Sequence, residues 1–196
     1  MSIVGLDLAG VENRPTGFCL LRGLSPKTSL PYTNEEIIAK IQEAKPAVAA
    51  IDAPLSLPPG RKTIHDRTGK HLRESDSMLL QKGIKFFPIT LGPMRKLTER
   101  GIYIRNILES KHLTVIEVYP GGAQDVLGIP RKQHALDRLK DGLEKLGITG
   151  LPNNLSDHEL DAVTCAYVGK LFLEGKTVTF GPADDGIVMP NEKSNQ

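Results

Sequence analysis

The sequence predicts an α/β fold, a mixed sheet flanked by helices, and three observations predict it. Three short apolar runs, residues 2–9, 47–52 (AVAAID) and 113–119 (LTVIEVY), have the length and composition of strands buried on both faces. Segments with helical periodicity and helix-start signals lie between and after them. Strand, helix, strand in that order requires a right-handed crossover, which sets the second strand parallel to the first.

The elements follow in chain order. After the opening strand, residues 10–15 supply a turn and residues 17–22 (GFCLLR) read as its hairpin partner. A weak third strand falls somewhere in residues 23–32. Thr33 and Glu36 form a capping box, and Ile37, Ile38 and Ile41 then recur at helical spacing until Pro46 ends the helix. Residues 55–82 are rich in proline, glycine and charge, and a segment of that length inside a domain points to function. Residues 86–108 read as partly helical, with Met94, Leu97, Ile104 and Leu108 as core contacts. A helix is expected from about Lys132 to Leu146, ended by Gly147. Ser156 and Glu159 form a second capping box, ahead of a stripe of Leu160, Val163, Thr164, Tyr167 and Leu171. Residues 181–196 read as a loop and polar tail. The expected organisation is one domain over residues 1–190, with an insertion at about 55–112 and a tail at 191–196.

Composition narrows the function classes. The 196 residues are 39% hydrophobic and 24% charged, with a net charge of +2, which permits a phosphate-bearing substrate without demanding one. Cys19 and Cys165 stand far apart in apolar surroundings and read as buried thiols of a reducing compartment. No apolar run reaches the roughly 18 residues of a membrane span, and the opening MSIVGLDLAG, with no basic region and an early Asp, does not read as a signal peptide. The expected location is cytoplasmic.

The chemistry rests on acids in apolar places. Asp7 interrupts the opening strand and Asp52 ends the next parallel one. Adjacent strands lie about 4.8 Å apart, so both carboxylates would meet beyond the carboxyl edge of the sheet, where open α/β sheets bind ligands. Asp161 lies on the flank of the last helix's apolar stripe, with Asp157 one turn earlier, and Glu117 is embedded in LTVIEVY. Converging carboxylates repel one another unless a cation neutralises them, and an all-oxygen set favours Mg²⁺ or Mn²⁺ over zinc. Each acid also has a structural alternative. Asp7 could bridge to an arginine such as Arg73, Asp52 could be a turn residue, and Asp157 could serve the helix dipole. Asp161 could be a structural ion pair, and Glu117 could anchor a basic residue of the insertion.

Five segments, GLDLAG, IDAPLSLP, FFPITLGPM, VIEVYPGGAQDVLGI and SDHELDAVTCAYVGKLFLEGK, together resemble the family known as domain of unknown function 429. The likeness spans residues 3 to about 190. That family is described as predicted nucleases of RNase H-like fold. The resemblance implies three antiparallel strands followed by two parallel ones, five in all, with helices on their faces and the insertion after the fourth strand. It also implies metal ligands at Asp7, Asp52 and Asp161, with Asp157 as a further ligand. Glu117 is not a general ligand of RNase H-like nucleases and is taken as a candidate catalytic acid from its place in the apolar strand. His71, Arg73 and Asp76 of the segment HLRESD, and Lys132, are the implied contacts to a phosphate or leaving group.

The expected function is metal-dependent phosphodiester hydrolysis on DNA or RNA. Three alternatives stand beside it: a hydrolase or transferase of a small phosphorylated molecule, a non-catalytic binding module on the same core, and an actin-like or sugar-kinase-like ATPase. The last needs a longer, two-lobed chain and a second glycine-rich loop, for which Gly121 and Gly122 are the available pair. A cutter of symmetric junctions would work as a homodimer. Aromatic residues are 5% of the chain and tryptophan is absent, so no stacking platform is legible.

Overall fold

The structure is a computed structural model that describes residues 1–132 and 135–191. Among the described residues seven strands form one sheet: β1 (Ser2–Asp7), β2 (Gly17–Arg22), β3 (Ser25–Ser29), β4 (Val48–Asp52), β5 (Thr114–Val118), β6 (Thr177–Phe180) and β7 (Ile187–Pro190). Their order is β3-β2-β1-β4-β5-β7-β6. β1, β2 and β3 are antiparallel neighbours, and β4 and β5 add to β1 in parallel. β7 continues the parallel series and β6 closes that edge antiparallel. At the other edge Pro26 is tolerated in β3 because an edge strand can spare a ladder donor.

The five expected strands are present in the expected order, and β7 and β6 are the difference. All four residues of β7 are buried, where the sequence predicts a loop. Four residues are too few to show a period, and the strand is specified by its long-range pairing with β5. Residues 192–196 of the expected tail lie outside the described residues.

Six helices are described: α1 (Asn34–Ala44), α2 (Glu74–Gln81), α3 (Gly92–Glu109), α4 (Pro120–Val126), α5 (Leu136–Lys145) and α6 (Asp157–Leu173). Both predicted capping boxes are formed, Thr33 with Glu36 on α1 and Ser156 with Glu159 on α6. The polar insertion contains α2, and the helix expected from Lys132 is described from Leu136. No helix among the described residues is long and apolar enough to cross a membrane.

The period-two rule divides the sheet into two faces. Ile3 of β1, Val48 and Ala50 of β4, and Ile116 and Val118 of β5 pack against α4, α5 and α6. Val4, Leu6, Ala49 and Ile51 face the other way, onto α1 and α3. A smaller cluster of Leu79, Phe180, Ile187 and Met189 seats α2 on β6 and β7.

Two glycines let α6 lie directly on the sheet. A Cβ at Gly5 would stand 2.1 Å from the Ala162 carbonyl oxygen, and one at Gly17 would stand 2.0 Å from that of His158. Side chains on the N-terminal turns of α6 are thereby brought to the carboxyl end of β1.

Candidate functional site

The register of the sheet builds the first half of the site. Asp7 and Asp52 are paired positions on the parallel strands β1 and β4, at their carboxyl ends. Asp7 continues the Ile3 and Gly5 series and Asp52 the Val48 and Ala50 series, so both carboxylates stand on the α6 face. Glu117 is different. It pairs with Ile51, which belongs to the opposite face. The structure therefore brings Asp7, Asp52 and Asp161 to one place on the α6 face, while Glu117 leaves β5 from the opposite face and reaches the cavity that Asp52 and Asp161 line at the carboxyl edge of the sheet.

α6 supplies the second half. Asp161 is 4% exposed and accepts hydrogen bonds from Lys132 Nζ at 2.8 Å and from Gln124 Nε2 of α4 at 2.8 Å. Gln124 also donates to Thr164 Oγ1, which fixes its amide. His158 Nδ1 stands 2.7 Å from Asp7 Oδ2, and with the carboxylate accepting, Nδ1 carries the proton. Asp157 lies at the rim, 3.4 Å from Lys132 Nζ.

Burial pushes the Asp52 carboxyl well above the usual range, and the charges of Asp7 and Asp161 push it further, while Lys132 offsets only part of this. Burial also raises Asp161, against the lowering effect of Lys132. Burial alone would lower the Lys132 ammonium, but Asp161, Asp7 and Asp157 more than reverse that and hold it above the ordinary lysine range. The hydrogen bond to Asp7 raises the His158 imidazole. One ammonium thus leaves the three carboxylates under-neutralised.

The other expected site residues have different partners. Arg73 is 5% exposed, and its guanidinium is divided between Glu117, at 2.7 and 2.8 Å, and Asp76, at 2.9 Å. Glu117 Oε2 also accepts the Leu55 amide at 2.8 Å. This buried triad ties the insertion to β5, and Glu117, Arg73 and Asp76 line the same cavity as Asp52 and Asp161. Lys132 stands among the acids, paired with Asp161 and near Asp157. His71 is exposed and lines a separate basic hollow with Arg61, Arg67 and Arg95.

His158 and Gln124 were not anticipated. His158 had a readable signal, because it lies three residues before Asp161 on the same helix and so shares its face. Gln124 had none, since its position depends on the packing of α4 against α6. A cavity of about 300 Å³ adjoins the acids, with Asp52 and Asp161 at one end and Phe86, Phe87, Met94 and Leu97 of the insertion along its wall.

Comparison with solved structures places this architecture. T. thermophilus RuvC in complex with Holliday junction substrate superposes with a TM-score of 0.54 at 11% identity, over 89% of this chain and 96% of that one. The fold is RNase H-like. A Thermus thermophilus RuvC structure gives a TM-score of 0.49 at 12% identity, over 89% and 97% of the two chains. No family model and no curated protein sequence matches. On this RNase H-like sheet the carboxylate cluster sits at the carboxyl edge of two central strands, where ligands of parallel sheets are bound.

Among the described residues, no three His, Cys, Asp or Glu side chains stand ready around a common metal position. Lys132 Nζ lies 2.8 Å from Asp161 Oδ2 and is also attracted by Asp7 and Asp157. The donor chemistry nevertheless fits a hard divalent cation. The three groups are carboxylates, and burial first, then the charges of Asp7 and Asp161, raise the Asp52 carboxyl.

Proposed function

We propose that this chain hydrolyses phosphodiester bonds of nucleic acid with a divalent cation, Mg²⁺ or Mn²⁺, and that it belongs with the domain of unknown function 429 proteins. The observation that carries the reading is the meeting of Asp7, Asp52 and Asp161 at the carboxyl edge of β1 and β4, under-neutralised by Lys132. The nucleic-acid complex of the RuvC that shares the fold supports the substrate class.

Asp7, Asp52 and Asp161 would hold the cation, with Asp157 within reach at the rim. A divalent cation supplies activation of water and stabilisation of the departing oxygen. The protein's own groups set the stage for that chemistry. His158 holds one oxygen of Asp7, and Gln124 holds one oxygen of Asp161, so each carboxylate presents its second oxygen in a defined direction. Lys132 supplies positive charge at the site through its ion pair with Asp161 and would be placed to contact a phosphate oxygen of the substrate. Glu117, Arg73 and Asp76 position the insertion over the site.

Purified protein is expected to cut single-stranded, duplex, hybrid or branched nucleic acid only with Mg²⁺ or Mn²⁺, and Asp7→Asn is expected to reduce cutting at least about 100-fold. Gel assays of both proteins check this; equal cutting by the variant would remove Asp7 from the site.

A second reading, hydrolysis or transfer on a small phosphorylated molecule, is favoured by the modest size of the adjoining cavity. Metal-dependent stabilisation without nucleic-acid cleavage would bring it forward.

A further inference from the structure

The cavity beside the acids has a composition that hydrolysis alone does not require. One end is polar, with Asp52, Asp161 and Lys132 beside the Glu117–Arg73–Asp76 triad, and a phosphate group with its cation would lie there. The wall is apolar and partly aromatic: Phe86, Phe87, Ile89, Met94 and Leu97. Phe87 stands at this wall with 72% of its surface exposed, although it is the largest kind of apolar side chain the insertion contains. Lining the same cavity, the Tyr119 ring lies 5.8 Å from the Arg131 guanidinium, and its hydroxyl donates to the Lys85 carbonyl at 2.6 Å. Arg131 is itself held by Asp125. Two arms of the protein, the loop before α3 and the end of β5, thus present π faces and a planar cation to a space one step from the carboxylates.

We propose that this cavity receives one unpaired nucleobase of the substrate, beside the phosphate to be cut. The inference rests on the phosphodiesterase reading and names its substrate class: single-stranded or locally unpaired nucleic acid, not continuous duplex. Flat aromatic faces with a thioether (Met94) match a base in every sequence context, because every base has a π face. A bare sugar phosphate would leave this wall uncovered. A volume of about 300 Å³ lies at the small end of ligand cavities, suited to one nucleotide unit and closed to a duplex. A base in continuous duplex would have to leave its stack and its partner to enter, and an unpaired base is spared most of that cost. The apolar wall comes from a segment that the Glu117–Arg73–Asp76 triad holds against the sheet, which explains why three buried ionisable groups are spent on anchoring it.

The chain has no tryptophan, so Phe87→Trp in the full-length protein installs a single fluorescent reporter at the mouth of the cavity. Adenosine and thymidine 5′-monophosphates are expected to quench it saturably, with ribose 5-phosphate leaving it unchanged. An equal response to all three overturns the base site. Phe87→Ala, at an exposed position that the fold does not need, is expected to raise KM on single strands by roughly 5- to 150-fold. On a strand made abasic beside the cleaved phosphate, the variant and the parent should be cut alike. If abasic and intact strands are cut equally well by the parent, the base site falls and the phosphodiesterase reading stands. If the monophosphates quench the reporter but no polynucleotide is cut with any divalent cation, the base site stands and the phosphodiesterase reading falls.

Discussion

Asp52 carries more unfavourable charge than any of its neighbours, and the consequence is measurable without knowing the substrate. Its carboxyl is raised in the folded chain by burial, then Asp7, then Asp161. A raised carboxyl means that the folded state binds more protons than the unfolded one above the ordinary value of 3.8, so stability falls as pH rises from there through the folded value. Asp52→Asn removes that loss. In metal-free buffer at pH 7–8 the variant is expected to melt higher, by about 1 kcal/mol or 2–4 °C, with the advantage shrinking towards pH 4. Thermal melts across that pH range with chelator present check it, and a variant less stable than its parent at pH 8 would contradict the repulsion. Added Mg²⁺ or Mn²⁺ should stabilise the parent more than the variant.

At the scale of elements, two contacts decide whether the site exists. The first is α6 on β1. With a Gly5 Cβ only 2.1 Å from a backbone oxygen, Gly5→Ala must lift α6 and with it Asp161 and His158. The expected cost is about 3 kcal/mol, read as a lowered urea midpoint at unchanged slope. Wild-type stability in Gly5→Ala would show that the helix does not need that approach. The second is the anchor of the insertion. Arg73, Asp76 and Glu117 are all nearly sealed from water, so truncating the arginine leaves two buried carboxylates without their cation. Arg73→Met is expected to cost about 3–5 kcal/mol, first felt locally as proteolytic nicking within residues 55–90. Arg73→Lys should recover little, because a point charge cannot divide itself between two carboxylates as the planar fork does. Limited proteolysis with mass spectrometry distinguishes local release from global unfolding.

For the whole molecule, the net charge of +2 conceals a strong asymmetry. Residues 60–100 hold ten Lys or Arg and four Asp or Glu, so the insertion is markedly basic while the rest of the chain is net acidic. Arg61, Arg67, Arg95 and His71 gather around one hollow on this basic side. A polynucleotide whose base enters the cavity would run its backbone towards that hollow. With about three or four phosphates neutralised, log affinity for single strands should fall against log salt with a slope of about −2 to −3. Arg67→Glu combined with Arg95→Glu should flatten the slope and weaken binding, leaving the melting temperature nearly unchanged. Fluorescence anisotropy from 50 to 200 mM salt tests this, and affinity indifferent to salt would exclude the basic face from the interface.

Local sequence determined the five strands from β1 to β5, the starts of α1 and α6, and three of the acids. β1, β4 and β5 announced themselves as short apolar runs, both capping boxes formed where the Thr-x-x-Glu and Ser-x-x-Glu spacings lie, and single acids inside apolar segments marked Asp7, Asp52 and Asp161. These signals are legible because each arises within one element, from its period and its ends. Tertiary structure decided the rest. Glu117 looked equivalent to Asp7 and Asp52 because all three interrupt or end an apolar strand. Which face of the sheet each meets depends on one residue of register, and that placed Glu117 against Arg73. β7 became a strand only by pairing with β5, and Phe86, Phe87 and Tyr119 became one wall only when the insertion folded back over the sheet. Contacts between elements distant in sequence leave no period to read, so the carboxylates were visible in the chain, and of their partners only a basic residue of the insertion for Glu117 was among the alternatives.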